Sequence, residues 1–335
     1  MIRMSAVCTA FIVILLVLVM GACLGETAIP FDVVMKTLSN KLMNGGHPVD
    51  LIDEGIIWNY RLSRAVVAAC CGTALALSGV ILQALLRNAL ADPYILGISA
   101  GASTGAVSVI LLGLGGGFFS MSFGAFAGAI LAFGLVFILA SRAGGGTGTI
   151  ILAGVAVCQL FNALTSFIVA KSASAEQAKG VMFWLLGSLS GVRWPDAALA
   201  VPVTVAGFII ALWHARALDA FLFGADSAAS MGISVKRTYI LLISVSAFMT
   251  AVMVSIVGSI GFVGLVIPHA ARLIVGSRHR VLLPLSAMIG AVFLVAADII
   301  ARVIILGQVL PIGVITALVG APAFALILCG KRRTS

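Results

Sequence analysis

The sequence predicts an all-α polytopic membrane protein of about ten transmembrane helices. Three observations carry that prediction. Of the 335 residues, 62% are hydrophobic and only 9% are charged, against about 25% charged in an ordinary soluble domain. The mean hydropathy is +1.23. The apolar residues fall in runs close to the ~20 residues that a helix needs to cross a bilayer. Surface-to-volume scaling does not let a soluble chain of this size hide so large an apolar share. The composition therefore excludes a soluble enzyme, a disordered chain and a nucleic-acid reader. The net charge of +9 comes from scattered basic residues, so it implies a lipid bilayer and no nucleic-acid partner.

Taken in order, the apolar runs give spans at 5–24, 62–83, 94–112, 118–140, 149–170, 197–215, 239–258, 262–276, 282–301 and 312–330. The first follows Arg3 and contains Met20-Gly21-Ala22-Cys23, which loosely resembles a lipoprotein cleavage site. A cleaved leader is thus the alternative to a first transmembrane helix, although the helix needs no extra assumption beside nine further spans. The segment 25–61 is long enough for a short surface helix. The run 262–276 is short for a span. The cysteines all lie in apolar runs without metal-ligand spacing and read as small packing residues. Many of the 37 glycines lie within helices, as at Gly101, Gly105, Gly124, Gly128 and Gly264, where small residues let helix backbones approach.

Basic residues orient the chain. With the N-terminus cytoplasmic, twelve of the 20 Lys and Arg fall inside, among them Arg3, Arg87, Arg142, Lys236, Arg237, Arg272, Arg332 and Arg333. Only three of the 11 acidic residues, Asp92, Asp219 and Asp226, share that side. Both termini are therefore expected in the cytoplasm. The inner segment 216–238 is polar and carries Gly224 and Gly232, which bracket one helix of about two turns; a second lies before Gly224. Phe221, Phe223 and Met231 are expected to be exposed there, which makes a docking surface.

The chemistry expected of an enzyme is missing from the sequence. It contains no Gly-x-x-x-x-Gly-Lys-Ser/Thr loop and no His/Cys/carboxylate metal set, so no cofactor or metal is expected. Gly97-Ile98-Ser99-Ala100-Gly101 and Gly101-Ala102-Ser103-Thr104-Gly105 match a serine-nucleophile pattern, with His269 as a conceivable base, but the strained strand-to-helix turn of that motif is not predicted. The spans are nearly free of ionisable groups, so an ion-coupled carrier has no obvious proton or ion relay. Asp298 and Arg302 form an i, i+4 pair at an outer helix end. Energy must then enter through the inner docking surface, from a separate ATPase.

Five blocks resemble the FecCD-type permeases of type II ABC importers, which carry vitamin B12, ferric siderophores or haem. They are Tyr60-Arg61-Leu62-Ser63-Arg64; Ala74 to Gly79, running into Gln83 and Arg87 to Pro93; Leu96 to Ala102; Gly258 to His269; and Leu310 to Pro322. The resemblance covers about 58–330. It implies a single transmembrane permease domain over 1–335 with the type II importer fold and cytoplasmic coupling helices at about 217–236. It further implies a second permease subunit in a homodimer, two ABC ATPase subunits, a periplasmic substrate-binding protein, and a bacterial inner membrane location. ATP hydrolysis would belong to the partner. The cargo expected is an iron chelate, a ferric siderophore first, with haem or cobalamin as alternatives.

By the same resemblance, Arg61, Arg64 and Arg302 would receive acidic residues of the binding protein. Asp219, Gly224, Asp226, Ala229, Met231, Gly232 and Ile233 would couple to the ATPase, with Ala225 standing where an acidic residue is common. Asn88 and Thr147, with Gly145 and Gly146, would form the cytoplasmic gate, and the segment 172–190 would hold an outer gating helix. Ser63 and Ala89 stand where the family usually has proline. A weak inverted repeat relates Ser78–Pro93 to Val257–Gly276, each running helix, glycine, short break and proline.

Overall fold

The computed structural model describes residues 4–113, 120–172, 174–305 and 307–331. Arg3, Arg332 and Arg333, three of the residues that orient the chain, lie outside the described residues. So do the first two residues of the expected span 118–140.

Every predicted span corresponds to a helix. They are α1 (Met4–Cys23), α4 (Ser63–Leu85), α5 (Ile98–Leu112), α6 (Met121–Arg142), α7 (Thr147–Ser172), α9 (Trp194–Trp213), α12 (Val235–Val257), α13 (Val263–Val275), α14 (His279–Val303) and α15 (Ile312–Lys331). Non-spanning helices fill the connections: α2 (Phe31–Met43), α3 (Leu51–Gly55), α8 (Ala175–Leu185), α10 (Ala215–Phe221) and α11 (Ala225–Ser230). The surface helix expected within 25–61 is α2. Among the described residues, six helical stretches are long and apolar enough to cross a membrane, and four shorter apolar helices accompany them.

α3 runs without a break through a π-helical turn at Ile56–Leu62 into α4, giving one 35-residue helix, Leu51–Leu85. α4 is the axis of the bundle. It packs against α14, α12, α9 and α13, and its residues from Ala74 to Leu85 are all buried. Small residues make this possible, because without a hydrophobic force between helices in lipid, close backbone approach supplies the attraction. A side chain added at Gly79 would lie 1.9 Å from the Gly264 carbonyl of α13. α5 and α6 meet in the same way through Gly101 and Gly105 against Gly128 and Gly124.

Two spans are short. α5 has 15 residues and α13 has 13, about 22 and 20 Å at 1.5 Å per residue, against a hydrocarbon core of ~30 Å. The chain before each of them is correspondingly non-helical within the bundle. A 3₁₀ turn at Pro93–Leu96 precedes α5, and a break at 258–262 precedes α13. Gly264, the second residue of α13, rests on Gly79, six residues or about 9 Å from the end of α4.

Candidate coupling surface and transport pathway

One end of the bundle carries α10 and α11, which pack on each other and on the first turns of α14 and α12. Gly224, with φ of 107°, turns the chain between the two short helices. Met231, Gly232 and Ile233 close α11, where Gly232 donates to Ala229 O at 2.9 Å and Ile233 to Ala228 O at 3.1 Å. Asp226, Ala229, Met231 and Gly232 are exposed. Phe223 is 74% and Met231 63% exposed, so a partner could cover both.

Two members of the predicted set turn inward instead. Asp219 accepts from the backbone N–H of His279 at 2.8 Å and pairs with its Nδ1 at 2.7 Å, fastening α10 to the first turn of α14. Ile233 packs against the core. The expectation that Phe221 is exposed is not met. It is buried, with its ring edge-on to Tyr239 of α12, because α10 is amphipathic and needs an anchor on the bundle. Leu222 and Phe223 provide the exposed apolar surface at that place.

The turn after α4 lies at this same end. Arg87 takes a left-handed φ of 46°, and its guanidinium lies 3.3 Å from where a side chain at Gly224 would be. Asn88 Oδ1 accepts from the Leu90 N–H at 2.9 Å, an Asx turn. The second predicted gate turn reverses through Gly144 and Gly145, φ 100° and 71°, followed by Gly146 and by Thr147 as the first residue of α7. Among the described residues no hydrogen bond joins the Asn88 turn to the Thr147 turn.

The opposite end is closed by charge. The sequence suggests exposed arginines there, but Arg61 and Arg302 are buried and the Arg64 side chain is 11% exposed. Arg64 Nε lies 2.7 Å from Asp298 Oδ1, and Arg302 Nη2 lies 3.0 Å from Oδ2. Arg302 also donates to Leu24 O at 2.8 Å and Gly21 O at 3.2 Å. Arg61 donates to Cys23 O at 2.9 Å and to Thr27 O. The cause is helix chemistry. The last carbonyls of α1 have no partner within the helix, and two arginines from α14 and the π-helical turn supply the donors. The π-helical turn and α14 bring residues far apart in sequence to one point, which no local pattern reveals.

Sequence reasoning missed a polar stripe on α7. Gln159, Asn162 and Ser166 recur at i, i+3 and i+7 and are all exposed, with Val155 and Ala163 beside them. An amide facing hydrocarbon loses its hydrogen-bond partners, so this face belongs against water or a second protein surface. Its signal was legible: neutral amides in an otherwise apolar span. The motif serines do other work. Ser103 donates to Ser99 O, and Ser99 donates to Ser259 Oγ at 2.8 Å.

Comparison with known proteins agrees with this architecture. The model of the FecCD transport family matches residues 12–330. A cobalamin import system permease protein of Halobacterium salinarum is 42% identical, over 92% of this chain and 87% of its own length. A vitamin B12 import system permease protein of Citrobacter koseri is 37% identical over 84% of each chain. The solved inward-facing conformation of a metal-chelate type ABC transporter superposes with a TM-score of 0.83 at 29% identity, covering 97% of this chain and 99% of that one. ATP hydrolysis in these systems resides in a separate subunit. The chain therefore belongs to the FecCD transport family, as a multi-pass permease of the ABC importer type.

Proposed function

We propose that the chain forms the pathway of an importer for a metal chelate, and that cobalamin is its cargo. The observation that carries the reading is the pairing of two surfaces on one chain. One is an exposed two-helix platform at one end, and the other is a stripe of neutral amides along an otherwise apolar α7. In this reading two copies put Gln159, Asn162 and Ser166 on a shared axis. Neutral hydrogen-bonding groups suit a bulky cargo that must pass without being held. Relatives named for cobalamin and vitamin B12 support the choice of cargo. The likeness to a solved metal-chelate type transporter favours a second reading, a ferric siderophore.

The whole chain, 1–335, acts as one membrane domain in the bacterial inner membrane with both termini cytoplasmic. Two ABC ATPases receive α10 and α11 through Phe223, Asp226, Ala229, Met231 and Gly232, while Asp219, Gly224 and Ile233 hold the platform's shape. Asn88, Gly145, Gly146 and Thr147 form the cytoplasmic gate. A periplasmic binding protein docks at the arginine end. There Arg64 is the most accessible of the three, and Arg61 and Arg302 lend charge from beneath, which steers docking more than it tightens it.

The test is uptake by proteoliposomes holding the permease, its co-purified ATPase and the binding protein, with radiolabelled cyanocobalamin and a ferric siderophore offered separately. ATP-dependent accumulation of cobalamin alone is the expected result. Accumulation of the siderophore alone would install the second reading, and ATP-independent accumulation would return an ion-coupled carrier.

A further inference from the structure

The break at 258–262 is non-helical backbone inside a membrane bundle. Such backbone survives only where something satisfies its peptide groups. For Ile260 a single side chain does so. The Tyr94 hydroxyl donates to Ile260 O at 2.9 Å and accepts from Ile260 N–H at 2.8 Å, using one donor and one acceptor of a group that offers both. Beside it, Ser99 donates to Ser259 at 2.8 Å. The 3₁₀ turn before α5 and the break before α13 are thereby joined to each other, 166 residues apart.

Each break is also tied to one end of the molecule. Tyr94 sits in the 3₁₀ turn, whose start is fixed by Asp92 accepting from the Tyr94 N–H at 2.9 Å. That turn continues the Arg87–Asn88 turn, whose Arg87 guanidinium lies 3.3 Å from where a side chain at Gly224, between the platform helices, would be. The other break leads the opposite way. Val257 O accepts from Ser188 N–H at 2.8 Å, and Gly187 and Leu186, at the end of α8, accept from Ile312 and Gly313 at the start of α15 at 3.0 and 3.1 Å. A chain of neighbouring contacts therefore runs from the platform to the end of α8, by van der Waals approach at Gly224 and by hydrogen bonds from Tyr94 onward. Ile260 and its tyrosine lie at the middle.

We propose that Tyr94 is a positioning residue of the transport cycle: its hydroxyl passes movement of the Arg87–Pro93 turn to the 258–262 break, and through it to α8 and the start of α15. A rigid chain of contacts transmits only if it has two arrangements. A phenol that holds both polar groups of one residue can release them together, and they then have to find new partners.

This inference rests on the importer reading. The test measures chelate uptake and ATP hydrolysis in the same proteoliposomes, with whichever of cobalamin or ferric siderophore the wild type transports. Tyr94→Phe is expected to lower uptake per ATP hydrolysed about tenfold, the factor that ~1.4 kcal/mol represents, while hydrolysis stays within about twofold. A purely structural role would lower both together, and an unchanged ratio overturns the proposal. Should Tyr94→Phe fail to assemble, hydrogen exchange on the wild-type complex decides. Protection at Ile260 that changes between nucleotide states in step with Gly187 and Ser188 supports the proposal; Ile260 equally protected in every state overturns it. A wild-type permease that binds no ATPase removes the importer reading itself, an outcome distinct from an unchanged ratio.

Discussion

The two ends of this bundle are built on opposite principles. At one end Arg61, Arg64, Arg302 and Asp298 sit beneath the surface and tie α1, α4 and α14 together by charge and by α1's terminal carbonyls. At the other, Phe223 and Met231 stand in the open, and Gly144, Gly145 and Gly232 take positive-φ turns where an added side chain would meet nothing within 4 Å. The first end turns its polar groups on itself. The second leaves apolar groups uncovered and holds its turns by local backbone hydrogen bonds alone.

The comparison can be broken most directly at Asp298. Replacing it by alanine leaves Arg64 and Arg302 buried without a counter-charge, which should destabilise the permease by about 3–5 kcal/mol. Thermal unfolding in detergent measures this, and a midpoint like the wild type's would mean that the charged end is not a lock. The matching change at the other end is Phe223→Ser with Met231→Ser. It should weaken ATPase binding by roughly 2 kcal/mol or more and leave the permease's own unfolding within about 0.5 kcal/mol. A fall in unfolding as large as that of Asp298→Ala would erase the contrast between the ends.

A smaller effect is expected at Gly145, whose φ is 71°. Valine there should cost about 1–2 kcal/mol from the left-handed backbone alone. Transport should be reduced more than assembly, and equal losses of both would sharpen the view of this turn as plain structure. The smallest effect lies at the surface of the locked end, in α2. Lys36 pairs with Asp32 at 2.9 Å and, by its hydrogen bond first, holds that carboxyl below its ordinary range. A depressed carboxylate contributes stability above its unfolded pKa and loses it as pH falls through the folded one. Lys36→Gln should move Asp32 back toward ordinary titration, followed by NMR, with no measurable change in unfolding because the pair is exposed. A clear drop would show that α2 belongs to the lock.

Much of this is legible in the sequence because it is local. Ten apolar runs, the brevity of 262–276, the glycines of 216–238 and the five family blocks are properties of neighbouring residues, and each corresponds to an element of the structure. The surface helix α2 and the helix α8 within 172–190 also lie where the sequence puts them. The site is legible in part. Asp226, Ala229 and Met231 are exposed as a platform requires, whereas Phe221 is buried, since which side of a two-turn helix faces the bundle depends on the bundle. Gln159 and Asn162 are visible as amides in an apolar span, but only their exposure shows that they share an outward face.

By itself, then, the sequence determined that the protein is a polytopic helical membrane protein, that it has no Gly-x-x-x-x-Gly-Lys-Ser/Thr loop, and which family its blocks resemble. Composition and short-range pattern encode those things. Tertiary structure alone decided that three arginines expected outside would turn inward to α1 and Asp298, and that one tyrosine hydroxyl would meet Ile260. Both depend on residues scores to hundreds of positions apart in the chain. Their meeting is driven by backbone groups that have no water in the membrane and must find a donor or an acceptor within the protein.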